Sequence, residues 1–322
     1  MQQIAHESAN GLGMYVQILG SAAGGGFPQW NCNCANCRAV RSGTFSGKAR
    51  SQTQVAVSAD AKGWALLNAS PDLRTQIEAT TRLHPRDAGR HSPIAGVVMT
   101  SADLDQIAGL LSLRELQPLR VYCTASLRRI LHEDNSIFGM LNRVPEQVSW
   151  IDVDLNKEFP LEGSSLSGKP LSCTAFSLGS RYPVYVSSKR VSTLRPDEAL
   201  AGLIVKSSAG ATLAYLPAVP ALDDPLIALL ETVDLLLFDG TFWSDDELIR
   251  VQGKGATALE MGHIPISGVQ GSLRRLAGVK RPRKVFLHVN NTNPILDASS
   301  EQYKEVRAAG WEVAEDGWQF EL

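Results

Sequence analysis

Thr100-Ser101-Ala102-Asp103-Leu104-Asp105-Gln106-Ile107-Ala108-Gly109-Leu110 stands where the apolar run Val97–Met99 gives way to a helical pattern. Leu104, Ile107, Ala108 and Leu111 recur at helical spacing, with Asp103 placed to cap the helix they begin. A carboxylate at such a junction rides on a rigid element and projects above the edge of a sheet. Asp105 is therefore a candidate for site chemistry, although D-x-x-x-G-L alone is common at helix starts.

Three later segments carry matching groups. Asp239 follows the very apolar strand Val233–Phe238, and His263 sits in Met261-Gly262-His263-Ile264, a loop before a helix. His288 ends the strand Lys284–Leu287 and precedes Val289-Asn290-Asn291-Thr292-Asn293-Pro294. A single strand-end histidine is more often a hydrogen-bonded core residue than a ligand. Two histidines and two aspartates at such positions point instead to a metal site with N and O donors, assembled from distant segments. His6, His84, His91 and His132 lie in polar or loop contexts and read as surface residues.

Around these positions short apolar runs alternate with helical patterns. Candidate strands are Tyr15–Leu19, Thr53–Val57, Trp64–Leu67, Ile94–Met99, Leu119–Cys123, Thr174–Ser177, Gly202–Val205, Thr212–Leu216, Val233–Phe238, Val285–Val289 and Trp311–Val313. Candidate helices are Pro71–Ala79 (with Ser70 as cap), Leu104–Leu116, Ala125–Leu131, Asp223–Glu231, Ser267–Leu276 and Ser300–Ala308. Two clusters of strands interleaved with helices suit two packed sheets with helices outside, and a single parallel sheet is the alternative. Residues 14–322 read as one domain after a polar, disordered leader over 1–13. Arg181–Asp197, with Pro183 and Pro196, reads as a loop that could lie over a site.

The formal charge of −2 leaves no electrostatic footprint for nucleic acid or an anionic membrane. No window approaches the ~18 unbroken apolar residues of a membrane span. The opening lacks the basic and apolar regions of a secretory signal, so the expected location is cytoplasmic.

Phe27-Pro28-Gln29-Trp30-Asn31-Cys32-Asn33-Cys34-Ala35-Asn36-Cys37 sets three thiols at C-x-C-x-x-C spacing on one tight turn, where their sulfurs can converge on one ion. The chain's odd total of five cysteines does not suit a disulfide framework. A soft thiolate set favours structural zinc, which takes about four ligands; the fourth must come from elsewhere, a His or a polar side chain. Cys123 and Cys173 fall in strand patterns and read as core. Just before this turn, Gly20-Ser21-Ala22-Ala23-Gly24-Gly25-Gly26 follows a strand but matches neither dinucleotide nor P-loop fingerprints. It reads as a loop whose glycines let the backbone pass close to a site or a neighbouring strand.

Taken together, these residues resemble a known family. The junction at 100–110 is similar to the T-H-x-H-x-D-H-x-x-G-L signature of metallo-β-lactamase-like enzymes. It keeps Thr100, Asp105, Gly109 and Leu110, with Ser101, Asp103 and Gln106 where the three histidines would stand. The run Gly20–Cys34 resembles the opening of the PqqB family of pyrroloquinoline quinone (PQQ) biosynthesis. So do Asn68-Ala69-Ser70-Pro71-Asp72, Gly109–Glu115, Asp239-Gly240-Thr241 and His288–Pro294. The resemblance runs from Met14 to the C-terminus.

It implies a four-layer αββα sandwich of the metallo-β-lactamase-like class, a structural zinc on Cys32, Cys34 and Cys37, and a second metal site. It further implies iron-dependent hydroxylation of the tyrosine ring of a peptide-derived Glu-Tyr unit, in concert with other PQQ biosynthesis proteins. A carrier for PQQ or its precursor is the alternative, and a metal-dependent hydrolase another. The expected ligands of the second site, Fe(II) or another divalent metal, are His263, His288 and Asp105. Asp239 would be a ligand or an orienting group, Gln106 a weak ligand or hydrogen-bond donor, and Asn68 and Asp72 would position the substrate. Many relatives have His where this chain has Gln106, and a neutral amide oxygen is a poor donor for such metals. Leu216-Pro217-Ala218-Val219-Pro220 lacks the bridging aspartate usual in hydrolases of the superfamily. His288 and Asn291 are both candidates for the fourth zinc ligand.

Overall fold

The structure, a computed structural model, describes residues 13–322. The expected leader, His6 included, lies outside the described residues apart from Gly13. Fourteen strands form two seven-stranded sheets. The first sheet contains β1 (Tyr15–Gly20), β2 (Gln54–Ser58), β3 (Trp64–Leu67), β4 (Ile94–Val98), β5 (Leu119–Cys123) and β6 (Val148–Asp152). The second contains β7 (Glu158–Pro160), β8 (Ser172–Gly179), β9 (Leu200–Lys206), β10 (Thr212–Leu216), β11 (Leu235–Asp239), β12 (Arg283–Leu287) and β13 (Trp311–Val313). The last strand, β14 (Gln319–Glu321), returns to pair with β1 and closes the first sheet, so the order is β14-β1-β2-β3-β4-β5-β6 against β13-β12-β11-β10-β9-β8-β7.

The layering follows from side-chain alternation. Leu235 and Leu237 of β11 face the other sheet, in a cluster shared with Val16, Val55 and Leu67; Leu236 and Phe238 face outward onto Leu226, Leu230 and Val306 from helices. A strand covered on both faces reads as an unbroken apolar run, and Leu-Leu-Leu-Phe is one. Helical residues Leu73, Ile107, Leu127 and Ile130 cover the outer face of the first sheet in the same way. The result is the expected αββα sandwich, not the single parallel sheet.

Within each sheet four neighbouring strands run parallel: β3 to β6, and β10 to β13. Loops leaving the carboxyl ends of such strands are where open α/β sheets place their sites. Phe286 stacks on Trp311 at 4.1 Å and 10°, and Phe238 meets Trp311 edge-on at 5.9 Å. This aromatic packing fixes β11 and β12, the strands that end at the candidate ligands.

Several local expectations need correction. The helix expected over Leu104–Leu116 is an α-helix only over Leu104–Ile107 and tightens to 3₁₀ over Ala108–Leu113. The cause is a close approach: a Cβ on Gly109 would meet Ser70 O at 2.1 Å, and Gly109 N–H donates to Ala69 O at 2.9 Å. Ser70 does not cap the next helix; its hydroxyl bonds Gln76 Oε1 at 2.8 Å, and the helix starts at Leu73. Asp103 occupies a cap position without capping, because its carboxylate accepts from the Ser101 hydroxyl at 2.7 Å.

Candidate functional site

Thr241, just beyond the end of β11, organises the site. Its Oγ1 lies 3.1 Å from His263 Nδ1, 2.9 Å from His288 Nδ1 and 2.6 Å from Asp239 Oδ1. The two imidazoles are nearly parallel, with centroids 5.4 Å apart at 20°. Parallel rings that share one hydroxyl through Nδ1 present Nε2 to the same side. On that side His288 Nε2 meets Asp105 Oδ2 at 2.9 Å, while His263 Nε2 has no hydrogen bond among the described residues.

Asp239 is fully buried, and its acceptor positions are filled. Oδ2 accepts from Val219 N–H and His263 Nδ1, both at 2.8 Å; Oδ1 accepts from Thr241 N–H at 3.0 Å and from the Thr241 hydroxyl. An ionised carboxylate offers about four such positions. Asp239 thus holds His263 by a hydrogen bond, and with His263 and His288 it forms a group whose ligand atoms lie within 4.8 Å of one another; Asp105 reaches the group through His288 Nε2. Burial works against a charged His263, but the Asp239 carboxylate outweighs it and raises the imidazole's pKa. Burial likewise disfavours charge on Asp105, and the hydrogen bond from His288 reverses it, so the pKa falls.

Backbone geometry aims these groups. His263 follows Gly262, whose φ of 88° ends the short helix Ala258–Met261. His288 adopts φ 58°, uncommon for a non-glycine residue, and its carbonyl accepts from the Thr241 hydroxyl at 2.9 Å. Gly24 from the glycine loop passes beside Asp105, where a Cβ would lie 3.5 Å from that side chain. The loop thus does what its glycines suggest and passes close to a site.

Gln106 acts as a hydrogen-bond donor and spacer. Its amide donates to Asp105 Oδ2 at 3.0 Å and accepts from Asn68 Nδ2. Two expectations fail here. Asn68 is fully buried beneath Gln106, bonded to Thr100 and Tyr215, and does not line the cavity. Asp72 does not reach it either, because its carboxylate is taken by Gln52 N–H at 2.8 Å and by the Gln52 amide at 3.1 Å. Neither is placed to touch a substrate.

A cavity of about 750 Å³ opens above the site, lined by Asp105, Gln106, His263 and His288. Its walls include Arg181–Tyr185 from the segment read as a loop over a site, together with Pro217 and Ala218. Sequence reasoning missed Thr241 as a hub, and it missed Asn290, Phe242 and Met261 in the walls. The D-G-T string at a strand end was the available signal for Thr241.

The cysteine turn forms a second centre. Cys32, Cys34 and Cys37 bring sulfurs within 4.8 Å of one another at the start of the helix Ala35–Ser42. The Asn291 amide faces all three, at 3.1, 3.7 and 3.3 Å respectively. Of the two candidates for a fourth ligand, His288 turns its Nε2 to Asp105, and Asn291 lies against the sulfurs with its amide donating to them. Burial pushes the Cys34 thiol up to about 11. At Cys32 hydrogen bonds from the turn and Asn291 outweigh burial and lower the pKa.

One loop therefore serves both centres, His288 in one and Asn291 in the other. Glu247 anchors it from below: its buried carboxyl accepts from Thr292 Oγ1 and from Trp243 N–H at 2.6 Å. Burial raises its pKa from 4.5 to about 7. The folded state then holds this proton more tightly than the unfolded chain. The associated stability is complete below pH 4.5 and is lost as pH rises to about 7, on the order of 3 kcal/mol in all. Glu247→Gln should flatten that part of the stability profile in denaturant titrations at stepped pH; a variant curve parallel to wild type would show that Glu247 does not contribute it.

Among the described residues no helix is long and apolar enough to cross a membrane. Residues 63–289 match the beta-lactamase superfamily domain. The chain is 41% identical over 310 residues to coenzyme PQQ synthesis protein B of Methylorubrum extorquens, covering 96% of this chain and 100% of the relative. It is 43% identical, at the same coverage, to coenzyme PQQ synthesis protein B of Pseudomonas putida. The crystal structure of zinc-bound PqqB from Methylobacterium extorquens superposes with a TM-score of 0.87 at 39% identity, covering 96% of this chain and 100% of that one. A diphosphatase of the PhnP family shares the fold, with a TM-score of 0.64 at 19% identity, covering 96% and 97%.

Proposed function

The chain belongs to the coenzyme PQQ synthesis protein B family of the beta-lactamase superfamily, and from its role in PQQ biosynthesis we propose that it catalyses a metal-dependent hydroxylation. The substrate is the phenol ring of a small peptide-derived Glu-Tyr intermediate delivered by other proteins of the pathway. The observation that carries this reading is the pair of parallel imidazoles, His263 and His288, with Asp105 hydrogen-bonded to His288 Nε2, lining a cavity of about 750 Å³. A cavity of that size suits a small molecule.

Two histidines and one carboxylate form the donor set of non-haem iron oxygenases. Iron bound there would supply activation of dioxygen beside the phenol, with a reductant providing two further electrons. The protein's own residues do the rest. Asp239 and Thr241 hold both Nδ1 atoms, so each Nε2 stays aimed at the cavity. Gln106 holds Asp105 in place, and the strap Arg181–Tyr185 narrows access for water. Cys32, Cys34 and Cys37 would hold a structural zinc, with Asn291 facing the fourth position; the sulfur separations suit it. We also take residues 14–322 as one folding unit, because β14 pairs with β1 across the whole chain.

Protein purified without oxygen and loaded with ferrous iron should contain about one zinc and one iron per chain and add one oxygen atom to a tyrosine-containing probe, read by mass. One zinc and no bound iron would favour the carrier reading, which Gln106 supports by spending its amide on Asn68 and Asp105. The hydrolase reading is weaker, since Pro217 and Ala218 supply no bridging carboxylate to the cavity wall.

Asp239→Asn tests the orienting role. An amide accepts only at its oxygen, so with its NH₂ at the Oδ2 position both Val219 N–H and His263 Nδ1 would face a donor. The His263 tautomer then shifts toward a protonated Nε2, closing it to metal. Affinity at this centre is expected to fall about 10- to 100-fold with zinc at the cysteine turn retained. Unchanged iron binding in this variant would make Asp239 merely structural.

A further inference from the structure

We propose that Arg181 is the specificity-determining residue of the cavity, pairing with a carboxylate of the bound molecule. This rests on the small-molecule substrate reading above and narrows it to an anionic ligand.

Arg181 is the one Lys or Arg side chain lining the cavity among the described residues. It is exposed and makes no hydrogen bond or ion pair among the described residues, whereas Arg128 is paired with Asp152 and Arg283 with Glu312. Its position is fixed by neighbours. Tyr182 is buried and its hydroxyl donates to Arg195 O at 2.6 Å; the Tyr185 hydroxyl donates to Ala102 O, next to the candidate ligand segment. The strap is thereby tied at two points just after Arg181, whose guanidinium has no partner among the described residues.

The remaining lining says what accompanies the charge. Asp103 and Asp105 sit on the floor beside the imidazoles and the metal they would hold, and the cation that the wall adds for a carboxylate away from that centre is Arg181. Val184, Leu104, Leu259 and Met261, all well exposed at the mouth, supply apolar surface for a ring. A guanidinium binds a carboxylate through two parallel N–H donors, and a lysine cannot reproduce that fork. The geometry thus describes a ligand with an aromatic ring toward the imidazoles and a carboxylate toward Arg181.

The test compares glutamyl-tyrosine with glutaminyl-tyrosine amide, which carries no carboxylate, by calorimetry on metal-loaded protein. Wild type should bind the acid about 10- to 100-fold more tightly than the amide. Arg181→Met should lose that preference and bind both like the amide, with unchanged metal content and circular dichroism; Arg181→Lys should recover only part of it. Equal binding of acid and amide by wild type, or a full preference in Arg181→Met, overturns the assignment of Arg181 while leaving the small-molecule reading intact. Wild type that binds neither probe removes the small-molecule reading itself, and the carboxylate assignment with it.

Discussion

Replacing His263 and His288 together by alanine is expected to abolish iron binding at the cavity floor and, with it, oxygen transfer to a phenol. Removing a group that merely orients a ligand costs about 10- to 100-fold in metal affinity, and deleting two ligands should exceed this. The fold should survive. Thr241 retains Asp239 and the His288 carbonyl as partners, and the Phe286–Trp311 stack beneath is untouched. Zinc bound at the cysteine turn would give the internal control, since the three sulfurs face Asn291 and not the imidazoles. Metal analysis and turnover on the same sample separate the outcomes. An iron-replete, active double variant would sink the assignment, whereas loss of both metals would mean that the loop as a whole had collapsed.

How far that site could be read in advance depended on where each residue sits. Trp64–Leu67 appears with its observed bounds because a strand packed on both faces is an unbroken apolar run. Val148–Asp152, Glu158–Pro160 and Gln319–Glu321 escaped notice because they include edge strands with mostly exposed side chains, among them Gln319-Phe320-Glu321 with only Phe320 buried. Polar groups at the ends of apolar runs were legible for the same reason, and so Asp239, His263 and His288 were found; the structure gathers them around Thr241. Asn68 and Asp72 share that sequence signature without the placement. Asn68 adopts φ 66° and tucks under the sheet edge, and Asp72 turns to the Gln52 backbone. Distance along the chain from a strand tip carries no information about which way a side chain turns. Arg181 was invisible for a related reason: its role depends on having no partner, which only the packed molecule reveals.

Stripping zinc from the cysteine turn, by chelation or by Cys37→Ser, should have the other large effect, and it should reach beyond the turn. Folding linked to a metal held at a free concentration near 1,000 times its Kd gains about 4 kcal/mol. For a chain of this size that corresponds to roughly 6 °C in melting temperature. Cys37 is fully buried, so serine adds a desolvation cost of its own; Cys123→Ser, at a thiol equally buried in the first sheet, measures that cost without touching metal. The turn is also tied to the cavity. Asn36 Nδ2 donates to Asn291 O at 3.2 Å and to Asn293 O at 3.1 Å, and His288 lies three residues before Asn291 on the same loop. Releasing the sulfurs frees Asn291, loosens that loop and lets His288 drift from Asp105. Cys37→Ser should therefore weaken iron binding as well as zinc binding, while Cys123→Ser lowers the melting temperature with both metals retained. A Cys37→Ser protein that keeps its zinc, or that melts like wild type in excess chelator, would show that the three thiols hold no structural ion.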